Sequence, residues 1–136
     1  MNAFHESSAA PHRRAHGAIE AMYATGHELL SRERFSSAAC VFRAMLTCAP
    51  QDERGWIALG ACHEGLGQHR VALELYGAGR VLSRGGARCD LARARLLRAT
   101  GQLEQAEEAM IRARRRAEAA GDHELLTLVG AEEKPS

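Results

Sequence analysis

Residues Glu53 to Gly86 read ERGWIALGACHEGLGQHRVALELYGAGRVLSRGG, and the spacing of this stretch recurs on both sides of it. Gly26, Gly60 and Ala94 lie 34 apart, as do Ala38, Ala72 and Ala106, and the bulky series Phe42, Tyr76 and Met110. Gly67 and Gly101 share that interval. They fall where a helix must stop, and glycine tolerates the left-handed backbone that closes a helix C-terminus. The first copy carries Glu33 at this point. Keeping the same angles there would cost about 1 kcal/mol or slightly more.

Small residues where two helices touch, with a large apolar residue further on, match the helix-turn-helix unit of a tetratricopeptide repeat. The copies run Ile19 to Asp52, Glu53 to Gly86 and Ala87 to Ala120, each as helix A, a tight turn and helix B. Gly121-Asp122 then reads as a helix stop followed by an N-cap. A short helix from Asp122 to about Val129 is expected to cover the open end of the third repeat with Leu125, Leu126 and Leu128. The expected fold is all-α: three tetratricopeptide repeats as antiparallel helix pairs, a right-handed superhelix and a short C-terminal capping helix. Residues 1–17 are expected to form a flexible segment with room for a short helix, 18–130 the repeat domain and 131–136 a disordered tail.

A content of 46% hydrophobic and 26% charged residues is ordinary for one globular domain. The net charge of +1 argues against a protein that grips nucleic acid through its phosphates. No apolar stretch approaches the roughly 18 residues that span a bilayer. Met1 to Gly17 lacks the hydrophobic run of a secretory signal. The expected location is the cytoplasm, without membrane insertion. Cys40, Cys48, Cys62 and Cys89 contain no Cys-x-x-Cys and are expected to be free and buried. The seven histidines form no ligand set, and no phosphate loop or nucleophile-base pair occurs. The expectation is therefore no metal, no cofactor and no enzymatic activity.

One stripe of helix A is expected between repeats: Met22, Gly26 and Leu29; Trp56, Leu59, Gly60 and His63; Asp90, Arg93, Ala94 and Leu97. Glycine inside a helix costs close to about 1 kcal/mol against alanine, so two at one repeat position signal close helix approach. Trp56 is read as core. The third copy departs, with Asp90 and Arg93 in place of apolar residues.

A second stripe recurs at i, i+3, i+7 and i+10 and is the expected peptide-binding groove. Its rows are Glu20, Tyr23, His27 and Leu30; Arg54, Ile57, Ala61 and Glu64; Arg88, Leu91, Arg95 and Arg98. The first two rows offer apolar pockets around Tyr23, Leu30, Ile57 and Ala61. The third presents three arginines, either to acidic groups and carbonyls of a bound peptide or to solvent. Arg112, Arg114, Arg115 and Arg116 on the last helix B are expected to face solvent. Glu104, Glu107 and Glu108 lie one turn earlier, within reach for i to i+4 pairing.

The block Leu59-Gly60-Ala61-Cys62, then Leu66-Gly67-Gln68, Ala72-Leu73, Tyr76 and Gly79, resembles the second repeat of the class II chaperones of bacterial type III secretion. The likeness extends back through Tyr23, Phe35, Ala38, Val41 and Phe42. It runs forward through Leu96-Leu97, Gly101, Leu103, Glu104, Ala106 and Glu107. It implies a cytoplasmic, non-enzymatic chaperone that keeps hydrophobic translocator subunits soluble and secretion-competent. In that family a short extended segment near the client's N-terminus lies in the concave groove. The family's aromatic pocket residues fall on Tyr23, His27 and Leu30, of which only Tyr23 keeps an aromatic carbon ring. Homodimerisation through a helix ahead of the first repeat is implied by the resemblance alone, since the N-terminal region here is short. A needle-subunit chaperone and a generic tetratricopeptide adaptor remain open as alternatives.

Overall fold

The computed structural model describes residues 3–133, with side chains from Arg13 onward. Its elements are α1 (Ala3–Ser31), α2 (Phe35–Cys48), α3 (Glu53–Gly65), α4 (His69–Leu82), α5 (Ala87–Ala99), α6 (Leu103–Ala120) and α7 (His123–Glu133). No strand occurs among the described residues, so the chain is all-α as its periodicity requires.

The pairs α1/α2, α3/α4 and α5/α6 close through turns of one shape. Arg34, Gln68 and Gln102 donate their backbone N–H to the carbonyls of Leu29, His63 and Leu97 at 2.9, 2.8 and 2.8 Å. This is the hydrogen-bond pattern of a Schellman motif, which needs a left-handed residue just past the helix. Gly67 and Gly101 supply it at φ 75° and 81°, and Glu33 adopts it at φ 60° without glycine's freedom. The first turn keeps the common shape and carries the strain.

Each pair is held by matched sizes. A Cβ on Gly26 would sit 2.6 Å from the Phe42 ring, and one on Gly60 would sit 2.1 Å from Tyr76. In the third pair the aromatic ring is replaced by Met110, and the glycine by Ala94; both are buried in one core cluster. Flexible methionine leaves room for the methyl group that the rings exclude. Of the stripe expected between repeats, Gly26, Leu59, Gly60, His63, Asp90, Ala94 and Leu97 are buried, and Met22, Leu29, Trp56 and Arg93 partly so.

Curvature follows from which helices touch. The backbones of α1 and α3, of α3 and α5, and of α5 and α7 approach closely, while those of α2, α4 and α6 stay apart and only the long Arg116 side chain bridges α6 to α4. An array whose A helices close ranks while its B helices splay must bend toward the A layer. The concave face therefore belongs to α1, α3, α5 and α7.

Several expectations need correction. α1 begins at Ala3, so helix runs through the segment expected to be flexible, including Pro11. Residues 13–18 are exposed; the helix continues in line from the first repeat and needs no core of its own. At the other end α7 reaches Glu133, while the remainder of the expected tail, 134–136, lies outside the described residues. The cap buries Leu125 and Val129 rather than Leu128, which is 39% exposed. Cys62 and Cys89 are buried, but Cys40 and Cys48 are exposed, because α2 turns Ala38, Phe42 and Met45 inward. Burial pushes the Cys62 thiol up to about 11. Arg116 does not face solvent: its Nη1 donates to the carbonyls of Arg80 and Gly85 at 3.0 and 2.8 Å. Arg112 approaches Glu108 at 3.9 Å, Arg114 pairs with Glu133, and Arg115 is exposed.

Candidate peptide-binding groove

The twelve residues expected in the groove all lie on the A helices, four each on α1, α3 and α5. Across the helices they form rungs, since residues 34 apart occupy equivalent points of adjacent copies. The first rung is an ion pair: Arg54 donates to both carboxylate oxygens of Glu20, at 2.7 and 3.2 Å. Arg54 is also fixed by Asp52, the N-cap of α3, at 2.8 and 3.1 Å. These bonds hold the Glu20 and Asp52 carboxyls below their usual range and push Arg54 further up. Its guanidinium carbon lies 4.5 Å from the centroid of the Tyr23 ring, within cation–π range. Tyr23 is oriented by His27 and by Phe42, at ring separations of 5.7 and 6.3 Å.

Tyr23, Leu30, Ile57 and Ala61 are each partly exposed on the concave side. Ala61 is the smallest of the four. Glu64 is not free: it accepts the hydroxyl proton of Tyr76, whose ring crosses the helix contact where Gly60 has no side chain. Burial first, and that bond second, push the Tyr76 phenol well above its ordinary value. His27 remains exposed.

The third row behaves differently from the first two. Leu91 is buried in the core cluster with Leu125 and Val129. Arg88 pairs with Asp122 at 2.8 Å and approaches Glu124 at 3.9 Å. Arg95 and Arg98 both engage Glu132, at 2.7 and 3.3 Å, and Arg98 also reaches the Glu132 carbonyl at 2.9 Å. Asp122 serves twice, because it also caps α7 by accepting the N–H of Leu125 at 3.0 Å. The three arginines thus hold α7 against α5, and the partly exposed apolar residues of the twelve lie on α1 and α3.

Reading the rungs past the third copy would have revealed these acids. Asp122 stands 34 after Arg88 and Glu132 stands 34 after Arg98, as Arg54 stands 34 after Glu20. Among the described residues no His, Cys, Asp and Glu group of three converges as a metal site. No described helix is long and apolar enough to cross a membrane.

No family model matches the chain. The low calcium response locus protein H of Yersinia pestis is 26% identical over 92 residues, covering 68% of this chain and 55% of that protein. The chain thus spans about half the length of the curated relatives it matches. Among solved structures, the type III secretion translocator chaperone SycD of Yersinia enterocolitica superposes with a TM-score of 0.74 at 26% identity, covering 84% of this chain and 86% of that one. PcrH, a Pseudomonas aeruginosa protein, has been solved with the chaperone binding region of PopD. That chain matches with a TM-score of 0.72 at 29% identity, over 86% of this chain and 89% of its own. PcrH bound to the corresponding region of PopB gives 0.71 at 28%, over 83% and 92%. Helix order, the tetratricopeptide-like pairing and the sequence likeness agree: in fold and in sequence the chain is similar to low calcium response locus protein H, the translocator chaperone SycD and PcrH.

Proposed function

We infer that this protein is a cytoplasmic, non-enzymatic chaperone that receives a segment of a hydrophobic translocator protein in its concave groove and keeps the client soluble before export. The observation that carries the reading is the uncovered apolar run Tyr23, Leu30, Ile57 and Ala61 on the A helices. PcrH, at similar helix order, is a protein bound to the chaperone binding regions of PopB and PopD. An extended client segment would place spaced apolar side chains against α1 and α3, with Glu20, His27, Arg54 and Glu64 setting polarity at the edges. Arg88, Leu91, Arg95 and Arg98 would border the site and anchor α7 rather than contact the client directly. Residues 18–130 form the proposed binding unit, and homodimerisation is part of the proposal only as a second state of the free chaperone.

Co-expression with the hydrophobic translocator subunits of the same bacterium tests this. A soluble 1:1 or 2:1 complex is expected to co-purify. Translocators that stay insoluble, with none bound, would remove the assignment.

A further inference from the structure

Two notches open on the convex side, where the B helices splay. Between α2 and α4 the notch is apolar, walled by Leu46, Trp56, Leu59 and Leu82. Moving each of these forward by 34 gives Arg80, Asp90, Arg93 and Arg116. All four positions change together from apolar to charged. Arg80 and Arg93 line the second notch, between α4 and α6, along with Arg70 and Arg112; it encloses about 730 Å³.

Asp90 and Arg116 stand behind this wall. Asp90 is fully buried, with its carboxylate 3.6 Å from Arg80 and 3.4 Å from Arg116. Arg116 reaches it past Gly86, where a Cβ would lie 2.4 Å from the guanidinium. With Arg70, Arg80, Arg93 and Arg112 lining the notch beside Glu74 and Glu108, and Asp90 and Arg116 behind it, the local excess is two positive charges (5 − 3). Glu108 touches Arg112 only at 3.9 Å, and Glu74 touches Arg70 at 3.6 Å, both from exposed side chains. Arg93, partly buried, has no hydrogen bond or ion pair among the described residues. Burial, then Arg112 and Arg80 beside it, pull its pKa down, as an unneutralised cluster must.

The geometry points to a second binding site: an acidic segment of a partner protein docks between α4 and α6, setting its carboxylates on Arg80, Arg93 and Arg112. Guanidinium forks pair bidentately with carboxylates. The arginines extend from Arg70 to Arg80 along α4, ten residues or about 15 Å. That length suits about five extended residues carrying several carboxylates, not one compact phosphate. Gly77, with open space where its side chain would be, leaves the middle of the notch clear.

The probe is a fluorescein-labelled alternating glutamate–serine peptide of roughly twelve residues, followed by anisotropy at low salt. Saturable binding is expected, weakened about tenfold by Arg93→Gln/Arg112→Gln. A control pair with the same charge change, Arg32→Gln/Arg34→Gln, lies outside the notch and is expected to leave affinity unchanged. Melting curves establish that the variants fold. Should the double variant melt early, Arg112→Gln alone, on the rim, is expected to weaken binding about threefold. Equal losses in notch and control variants, no saturable binding, or binding of inorganic pyrophosphate in place of the peptide would overturn the proposal.

Discussion

Gly60→Ala sets helix propensity against packing at the contact between α3 and α4. Alanine in place of a helical glycine is worth about 1 kcal/mol on an exposed helix. Here the new Cβ would lie 2.1 Å from Tyr76 Cε1 and 2.6 Å from Cζ, whereas carbon atoms rest comfortably at about 3.5 Å or more. The ring must retreat by more than about 1 Å, yet Tyr76 is only 2% exposed and its hydroxyl is tied to Glu64. Overpacking of this kind costs about 1–3 kcal/mol, and loosening a hydrogen bond to a carboxylate adds about 1.5–3 kcal/mol. Subtracting the propensity gain leaves a net loss of about 1.5–5 kcal/mol. Gly77→Ala, in α4 with nothing near its Cβ position, is the matched control and should gain about 1 kcal/mol. Urea and thermal unfolding followed by circular dichroism read both. Gly60→Ala/Tyr76→Met, which copies the Ala94 and Met110 pair, should be less destabilised than the two single losses sum to, with a coupling of at least about 1 kcal/mol. Stabilisation by Gly60→Ala comparable to that of Gly77→Ala would refute the size-matching account.

Glu33→Gly relieves a left-handed strain of about 1–2 kcal/mol and adds unfolded-state entropy worth about 0.5–1 kcal/mol. A net gain of about 0.5–1 kcal/mol should appear as a higher urea midpoint. Asp90→Ala leaves Arg80 and Arg116 without their buried partner and should cost about 3–5 kcal/mol in the same assay; a neutral result would mean that those arginines turn to water freely. The Asp122 carboxyl is held below its ordinary range, first by the Leu125 N–H and then by Arg88. Its contribution is complete above the unfolded value of about 3.9 and disappears as pH falls through the depressed folded value. Asp122→Asn, which keeps the cap but cannot titrate, should flatten the decline of melting temperature below about pH 4. Tyr23→Ala/Ile57→Asp should abolish translocator co-purification with helicity largely kept. Ala72→Glu should unfold the repeat, because Ala72 is fully buried; loss of fold in both would mean that the groove face is wrongly placed.

The period made the helix pairs, their turns and the inner face legible, because spacing alone determines which residues share a face. Small-residue positions were legible too, since glycine in a helix announces a close contact. What spacing could not show is how far a helix continues once its core contacts end, so the start of α1 at Ala3 escaped it. Nor could composition separate Cys62 from Cys40: their burial depends on which way each helix rolls against its neighbour. The arginines of α5 were the least legible, because spacing alone turns Arg88 and Arg98 toward solvent or a client, whereas their partners lie one repeat further along this chain.

A repeat transmits backbone geometry from copy to copy, so any charge placed at one rung has a fixed neighbour 34 residues away. On the concave side Arg88 and Arg98 meet Asp122 and Glu132 at that offset, and the charge is consumed in attaching the cap. On the convex side Arg80, Arg93 and Arg116 replace an apolar set at the same offset, but among the described residues the only buried acid facing them is Asp90. Random erosion of a consensus would scatter polar residues over both faces without such pairing on one and such excess on the other. The inner charges close the array, and the outer charges remain available to an anion. If both sets served stability alone, neutralising Arg93 should be no better tolerated than neutralising Arg88; relief of repulsion instead predicts that Arg93→Gln holds or raises the melting temperature, while Arg88→Gln lowers it by loosening α7.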